Sequence, residues 1–401
     1  MVLSELTFIA VILLIGLLSA ILAKRLKVPS VLFLVIVGIG FGIYMQVENI
    51  TLSLPTKFIS GLGLFTLILV VFESTAQIRF RELDKASIFS LKMTFATVLI
   101  NFIILSFFTL LVVFRMNTEY MFLSILFAAL MCGTAPDIIL SLLGSSKLRI
   151  IRYLEIESII NTPLTVILPF LVIDLQRGVS AGFFSGFAGD LLLKITSGLG
   201  AGLLLGLIIF KVMRKQYSER YSPIAIITAA LLSYVLAENI GGSGIIAVTT
   251  LGLFFGNLEF KQKYSLLQFE SVLSTLLKVL IFVLLGIIIK IPLSFTFLWT
   301  SLLLFGIYLL GRYLAIYLVA PRMPSAHKIF MSLTASKGLA VVVVTFILAS
   351  AVTGFEPILD YILAFVLYSL VLSSIIVWFS PKLIGEKIKE AKIVTIAPPG
   401  K

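Results

Sequence analysis

EYMFLSILFAALMCGTAPDIILSLL, residues 119–143, is an apolar run of bilayer length with a polar, helix-breaking stretch in its middle, Cys132-Gly133-Thr134-Ala135-Pro136-Asp137. About 20 mostly apolar residues suffice to cross the hydrocarbon core as a helix. Gly133 permits unusual backbone angles and Pro136 cannot donate a hydrogen bond, so the helix is expected to break near Thr134-Ala135. Such a break is tolerated at membrane depth only where protein or a water-filled cavity lines it. A second run, residues 327–351, carries the polar insert Thr334-Ala335-Ser336-Lys337-Gly338. Two interrupted spans at matching places point to a binding site near the bilayer midplane.

The rest of the chain agrees. Hydrophobic residues make up 60% and charged residues 12% of the 401 positions, too apolar for the surface of a water-soluble domain. Thirteen runs are predicted to span: about 4–23, 30–46, 57–73, 87–114, 119–143, 153–173, 190–213, 222–238, 243–257, 269–290, 296–320, 327–351 and 357–379. The first is not preceded by a basic region but followed by Lys24, Arg25 and Lys27, so it is expected to stay as a helix. Loops after odd-numbered spans, with the tail and with Lys211 and Lys328 at span margins, carry 3, 3, 3, 4, 2, 2 and 5 Lys/Arg. The opposite side has Lys57, Arg115, Arg177 and Lys290. The positive-inside rule then predicts an outside N-terminus and a cytoplasmic C-terminus. The net charge of +12 is thus a topology signal, and nucleic-acid binding is not expected.

The expected fold is therefore an all-α polytopic membrane protein, with broken helices crossing at spans 5 and 12. An odd count suits two inverted six-helix repeats, 1–175 and 222–380, joined by a linking helix within 176–221 and followed by a short basic tail, 381–401. The single Cys132 excludes an internal disulfide and reads as a packed small residue, and the single His327 makes a histidine-based metal or catalytic centre untenable. No cofactor and no enzyme activity are expected.

Charges in the spans each need a reason, because insertion at the bilayer centre costs about 2.5–3.5 kcal/mol. In span 6, Glu157, Ser158, Asn161, Thr162 and Thr165 form a polar stripe at helical spacing, and Pro163 frees the carbonyl of Ile159. Oxygen ligands of this kind suit a hard monovalent cation; a helix–helix hydrogen-bond seam is the alternative, but it would not need Glu157. Asp137 would start the second half of span 5, either as a helix cap, as part of an ion site with Thr134, or as both. Lys337 is expected to neutralise broken-helix ends, with snorkelling as the alternative. Arg312, mid-span 11, needs an acid, and Glu157 is the expected partner. Lys278 shows no obvious acidic partner and is placed in water or snorkelling, while Lys92 and Lys194 read as interfacial anchors. Gly241-Gly242-Ser243-Gly244 reads as a loop or a close helix contact.

On these residues the chain resembles the monovalent cation–proton antiporter superfamily, the sodium/proton exchangers with thirteen spans. Glu157-Ser158-Ile159-Ile160-Asn161-Thr162-Pro163 is similar to that family's Glu-Ser-x-x-Asn-Asp-Pro motif. Gly311-Arg312-Tyr313-Leu314, Lys337-Gly338, Lys24-Arg25-Leu26-Lys27-Val28-Pro29 and Ala237-Glu238-Asn239-Ile240-Gly241-Gly242-Ser243-Gly244 through Gly256-Asn257 resemble further family segments. The resemblance implies exchange of Na+, K+ or Li+ for H+ by an elevator in which spans 4–6 and 11–13 move against a dimerisation scaffold of spans 1–3 and 8–10. It carries over Glu157 and Ser158 as site residues, with Arg312 and Lys337 as structural charge partners, and implies a homodimer in the cell membrane. Asn161 matches a position that, when neutral, the family often associates with electroneutral exchange.

Two departures touch the site: Thr162 stands where the family has its ion-binding aspartate, and Thr134-Ala135-Pro136 replaces Thr-Asp-Pro with an acid displaced to Asp137. Asp137 and Glu157 are expected to share the missing aspartate's work, with Asp137, Glu157 and Ser158 as the direct cation ligands. A sodium-coupled organic anion symporter and a cation channel are the rival readings. A sensor or an intramembrane protease fits less well.

Overall fold

The structure, a computed structural model, describes residues 2–26, 30–48, 56–80, 85–135, 149–178, 185–215, 221–259, 263–288, 292 and 294–384. Pro136, Asp137 and most of the basic tail lie outside them. The described residues form α1 (Val2–Leu26), α2 (Ser30–Val47), α3 (Thr56–Ala76), α4 (Lys85–Val112), α5 (Met121–Met131), α6 (Arg149–Gly178) and α7 (Ser185–Lys215). They continue with α8 (Ser222–Asn239), α9 (Gly244–Gly256), α10 (Lys263–Ile288), α11 (Phe295–Val319), α12 (Ser325–Leu333), α13 (Leu339–Ala351) and α14 (Glu356–Ile384). Helices α1 to α11 correspond to the first eleven expected spans, α12 and α13 are the two halves of the twelfth, and α14 is the thirteenth. No strand occurs among the described residues. Among the described residues, eight helices are long and apolar enough to cross a membrane, and shorter apolar helices accompany them.

Helix ends are set by local chemistry. Ser243 and Ser294 sit in extended backbone and accept from Ile246 N and Phe297 N, capping α9 and α11. Pro223 occupies the first turn of α8, where a missing N–H costs nothing. Gly241, at φ +74°, turns the chain between α8 and α9, and Gly242 leaves room there for Ser197 of α7. The expected loop and close contact are both present.

The apolar surface faces outward as lipid contact requires. Phe295, Trp299, Leu302, Leu310 and Leu314 of α11 are exposed, as are Leu203, Leu204, Leu207 and Ile208 of α7. In α1 the exposed Leu14, Leu17, Leu18, Ile21 and Leu22 do the same.

Packing divides the helices into two groups. Helices α4, α5, α6, α11, α12 and α14 pack among themselves; α2 packs on α10, α3 on α9, and α7 on α8 and α9. Helix α13 bridges them, touching α14 on one side and α3 on the other. The α2–α10 crossing is close because Gly38 and Gly286 face each other: a Cβ on Gly286 would stand 2.7 Å from Gly38 Cα. The ends of α3 and α9 lie on one side of the bundle, where Asn257 donates to Ile78 O at 2.9 Å and accepts from Phe80 N at 2.7 Å.

Candidate functional site: a crossed helix break with a buried ion pair

Helix α5 stops at Met131 and α12 at Leu333, and residues 133–135 and 334–338 run non-helically. These two stretches meet: Ala135 N donates to Ser336 O at 2.9 Å, and Ser336 Oγ donates to Ala135 O at 2.7 Å. Each interruption thus satisfies part of the other's freed backbone, as buried irregular chain in a membrane requires.

Lys337 fills the junction. It is 1% exposed, its Nζ donates to the carbonyls of Met131 and Gly133, and it lies 3.7 Å from the centre of the Tyr308 ring. The ammonium therefore sits on the carbonyl end of α5, where the helix dipole favours a cation, and against an aromatic face. Its own N–H is held by Ser369 Oγ at 3.0 Å. It does not snorkel; it closes the break.

Glu157 of α6 and Arg312 of α11 form the expected pair, both 0% exposed. The contact is bidentate, Nη1 to Oε1 at 2.7 Å and Nη2 to Oε2 at 3.0 Å. Arg312 Nε donates to Met331 O at 3.0 Å, which ties the pair to the end of α12. Thr134 Oγ1 donates to Glu157 Oε1 at 2.8 Å and accepts from Arg312 Nη1 at 3.0 Å and Asn161 Nδ2 at 2.8 Å. One donor and two acceptor positions are all a hydroxyl offers, so Thr134 is saturated. Asn161 Nδ2 also reaches Thr134 O at 2.8 Å, which fixes the amide's orientation and leaves its buried Oδ1 without a donor. Ser158 and Thr162 stand one helical turn apart on α6, with Thr162 Oγ1 on Ser158 O at 2.9 Å. Pro163 and Pro169 lie within α6. Gly133 lets α5 approach α6, since a Cβ there would collide with Thr165. Cys132 is buried, free and packed.

A cavity of about 350 Å³ reaches this junction, and Ala135, Ser158, Thr162 and Lys337 are part of its lining. Its walls carry Glu73, Ser74, Gln77, Glu155 and Lys278. A second cavity, of about 540 Å³, lies among the far ends of α6, α8 and α13, with Asp174, Lys194, Glu238 and Ser243 in its lining. None of Thr134, Glu157, Ser158, Asn161 and Thr162 lines that second cavity.

Two sequence expectations are corrected here. Lys278 has an acidic partner: its Nζ donates to Glu73 Oε2 at 2.9 Å. The two residues lie 205 positions apart, so only the packing of α3 on α10 joins them. Lys194 is ion-paired with Asp174 rather than a simple anchor. Lys92 is exposed, as an anchor would be. Sequence reading also passed over Tyr308, Ser369 and Glu270. The i, i+4, i+8 spacing of Glu270, Ser274 and Lys278 was the available signal for the last.

A family described as "Sodium/hydrogen exchanger, transmembrane" matches residues 9–384. This chain belongs to that family. Among sodium/hydrogen exchanger relatives, the Na(+)/H(+) antiporter NhaG of Bacillus atrophaeus is 28% identical, the alignment covering 92% of this chain and 73% of that one. A probable Na(+)/H(+) antiporter of Methanocaldococcus jannaschii is 26% identical over 80% of this chain and 79% of its own length. The K(+)/H(+) antiporter NhaP2 of Shewanella oneidensis is 28% identical over 48% of this chain, which spans only 35% of that relative's length. The fold is that of the sodium proton antiporter MjNhaP1 from Methanocaldococcus jannaschii, with a TM-score of 0.78 at 21% identity, covering 97% of this chain and 100% of that one. The chain is a multi-pass membrane protein, and Glu157 of its buried ion pair lies on the same helix as Thr162, the residue that departs from the motif it resembles.

Proposed function

We propose that this chain is a secondary transporter exchanging a monovalent cation for protons, with Na+ the first candidate and K+ and Li+ to be tested beside it. The observation that carries the reading is the cavity that reaches the crossed break, with Ala135, Ser158 and Thr162 in its lining and Thr134 and Asn161, bonded to each other, on the same two segments. The buried, donor-free Oδ1 of Asn161 is an acceptor of the kind a hard cation coordinates. The relatives' names as Na(+)/H(+) and K(+)/H(+) antiporters support the same reading; no observation favours anion symport or a channel.

In this reading Ser158, Asn161 and Thr162 supply side-chain oxygens, Thr134 supplies its carbonyl while its saturated hydroxyl holds the site together, and Asp137, outside the described residues, supplies the acid. Both Glu157 oxygens are engaged by Arg312 and Thr134, so in this conformation Glu157 positions Thr134 rather than coordinating the ion. Lys337 holds the α5 end together while the site changes its access.

Transport then proceeds by an elevator: α4–α6 and α11–α14 carry the site past α1–α3 and α8–α10, which also form a homodimer contact. The 350 Å³ cavity is the cytoplasmic entrance, because Val31, Glu73 and Glu155 in its lining lie near the helix ends that adjoin Lys/Arg-rich stretches in the sequence, and the two halves of the chain are inverted repeats around α7.

The test is exchange in proteoliposomes, with an imposed cation gradient and an internal pH dye. Thr134→Ala, Asn161→Ala and Asp137→Asn each abolish cation-driven proton movement while the protein stays folded. Full exchange by all three variants sinks the site, and absence of exchange in the unaltered protein with every cation sinks the function.

A further inference from the structure

The proposed cation site contains no free acid among the described residues, because Thr162 replaces one aspartate and Glu157 is locked to Arg312. The wall of the cavity does contain acids. Glu73 of α3 lines it, and its Oε2 accepts from both Ser274 Oγ, at 2.8 Å, and Lys278 Nζ, at 2.9 Å. Ser274 and Lys278 share one face of α10 with Glu270, a turn further along. Glu270 is 2% exposed, and neither of its carboxyl oxygens has a hydrogen-bond partner among the described residues.

A bare carboxylate in that position is untenable, since an unpaired buried charge costs several kcal/mol and is relieved by neutralisation. The charges acting on Glu270 are those of Glu73 and Lys278. Of the other helices packed on α10, α2 and α13 contain no Asp, Glu, Lys or Arg, Glu238 of α8 is bonded to Gly244 N, and Arg25 of α1 is exposed; the remaining charged residues on these helices are Glu5 and Lys24 in the first and last turns of α1 and Lys57 in the first turn of α3. Two acids therefore share one ammonium, and that ammonium is already committed to Glu73.

We propose that Glu73 and Glu270, with Lys278 as their shared counter-charge, form a binding site for one proton that exchanges with the cavity through Glu73. The proton resides on Glu270 in the state described here. When it leaves, the Glu73–Glu270–Lys278 cluster carries a net negative charge and attracts a cation; when it returns, the cluster is neutral. This gives the exchanger a proton-dependent entrance on the α3–α10 side, apart from the α5–α6 oxygens. The role in transport rests on the antiport reading, whereas proton binding does not.

Two readouts separate the two. Infrared difference spectroscopy of the purified protein in lipid across a pH titration reports protonated carboxyl groups directly. The protein shows a titrating carboxylic band that is missing in Glu270→Gln, a nearly isosteric change that removes the proton without emptying the site. In Glu73→Gln the band persists but titrates at lower pH, because the neighbouring negative charge is gone. In proteoliposomes, Glu270→Gln loses the corresponding step in the pH dependence of exchange. An unaltered band in Glu270→Gln overturns the proton site. A pH profile identical to the unaltered protein's overturns its role in transport. Exchange absent from every protein, with the band intact, defeats the antiport reading alone.

Discussion

Breaking the Glu157–Arg312 pair from one side alone should cost far more than removing it whole. In Glu157→Gln, the amide places an N–H against a guanidinium that already donates, so one of the two bridging bonds is lost and the other weakened. Arg312 keeps Met331 O, Thr134 and the one amide oxygen as neutral partners, and its charge is left uncompensated at 0% exposure. In Arg312→Met, the carboxylate keeps only the Thr134 hydroxyl. Removing one member of a buried pair typically costs about 3–5 kcal/mol, whereas replacing both with neutral groups is often nearly free. The double variant should therefore be destabilised by at least about 2 kcal/mol less than the sum of the singles, a coupling well above the error of independent sites.

Cys132 supplies the assay, because it is the chain's one cysteine and is fully buried in the neighbouring break. Its labelling by a thiol-reactive fluorophore during heating in detergent reports opening at this junction. Strictly additive single and double variants would show that the two charges do not depend on each other, and the reading of the site as built around this pair would fall.

Lys337→Met strands the Met131 and Gly133 carbonyls, at about 1–3 kcal/mol for each buried acceptor. Cys132 labelling at lower temperature, together with lost exchange, is the expected result, and Lys337→Arg should recover part of the stability. Gly286→Ala forces a Cβ against the Val35 carbonyl and Gly38 Cα, prising α2 from α10 at a cost of about 1–3 kcal/mol. Thermal unfolding in detergent checks it, and an unchanged transition would mean the two helices do not cross as described.

The membrane class, the span order and the two interrupted spans were legible because they are one-dimensional. Apolar run length and Gly/Pro placement act on the segment that carries them, and neither needs a partner. The Glu157–Arg312 pair was legible for a related reason: a charge buried mid-span must find an opposite one, and few acids lie deep enough to serve. Lys278 shows where that reasoning ends. It too had to find an acid, but Glu73 lies near the end of its own span and 205 residues away, so nothing local singled it out.

Sequence by itself determined that this chain crosses the membrane many times as helices and that spans 5 and 12 break, since hydrocarbon penalises every unpaired backbone group wherever the chain goes. Only the tertiary structure decided that the two breaks bond each other through Ala135 and Ser336, that Lys337 closes the end of α5, and that Glu270 is left without a partner behind Glu73. Those outcomes depend on which oxygen comes within hydrogen-bond reach of which donor, and that is fixed by helix crossings such as Gly38 on Gly286, not by the residues on either side in the chain.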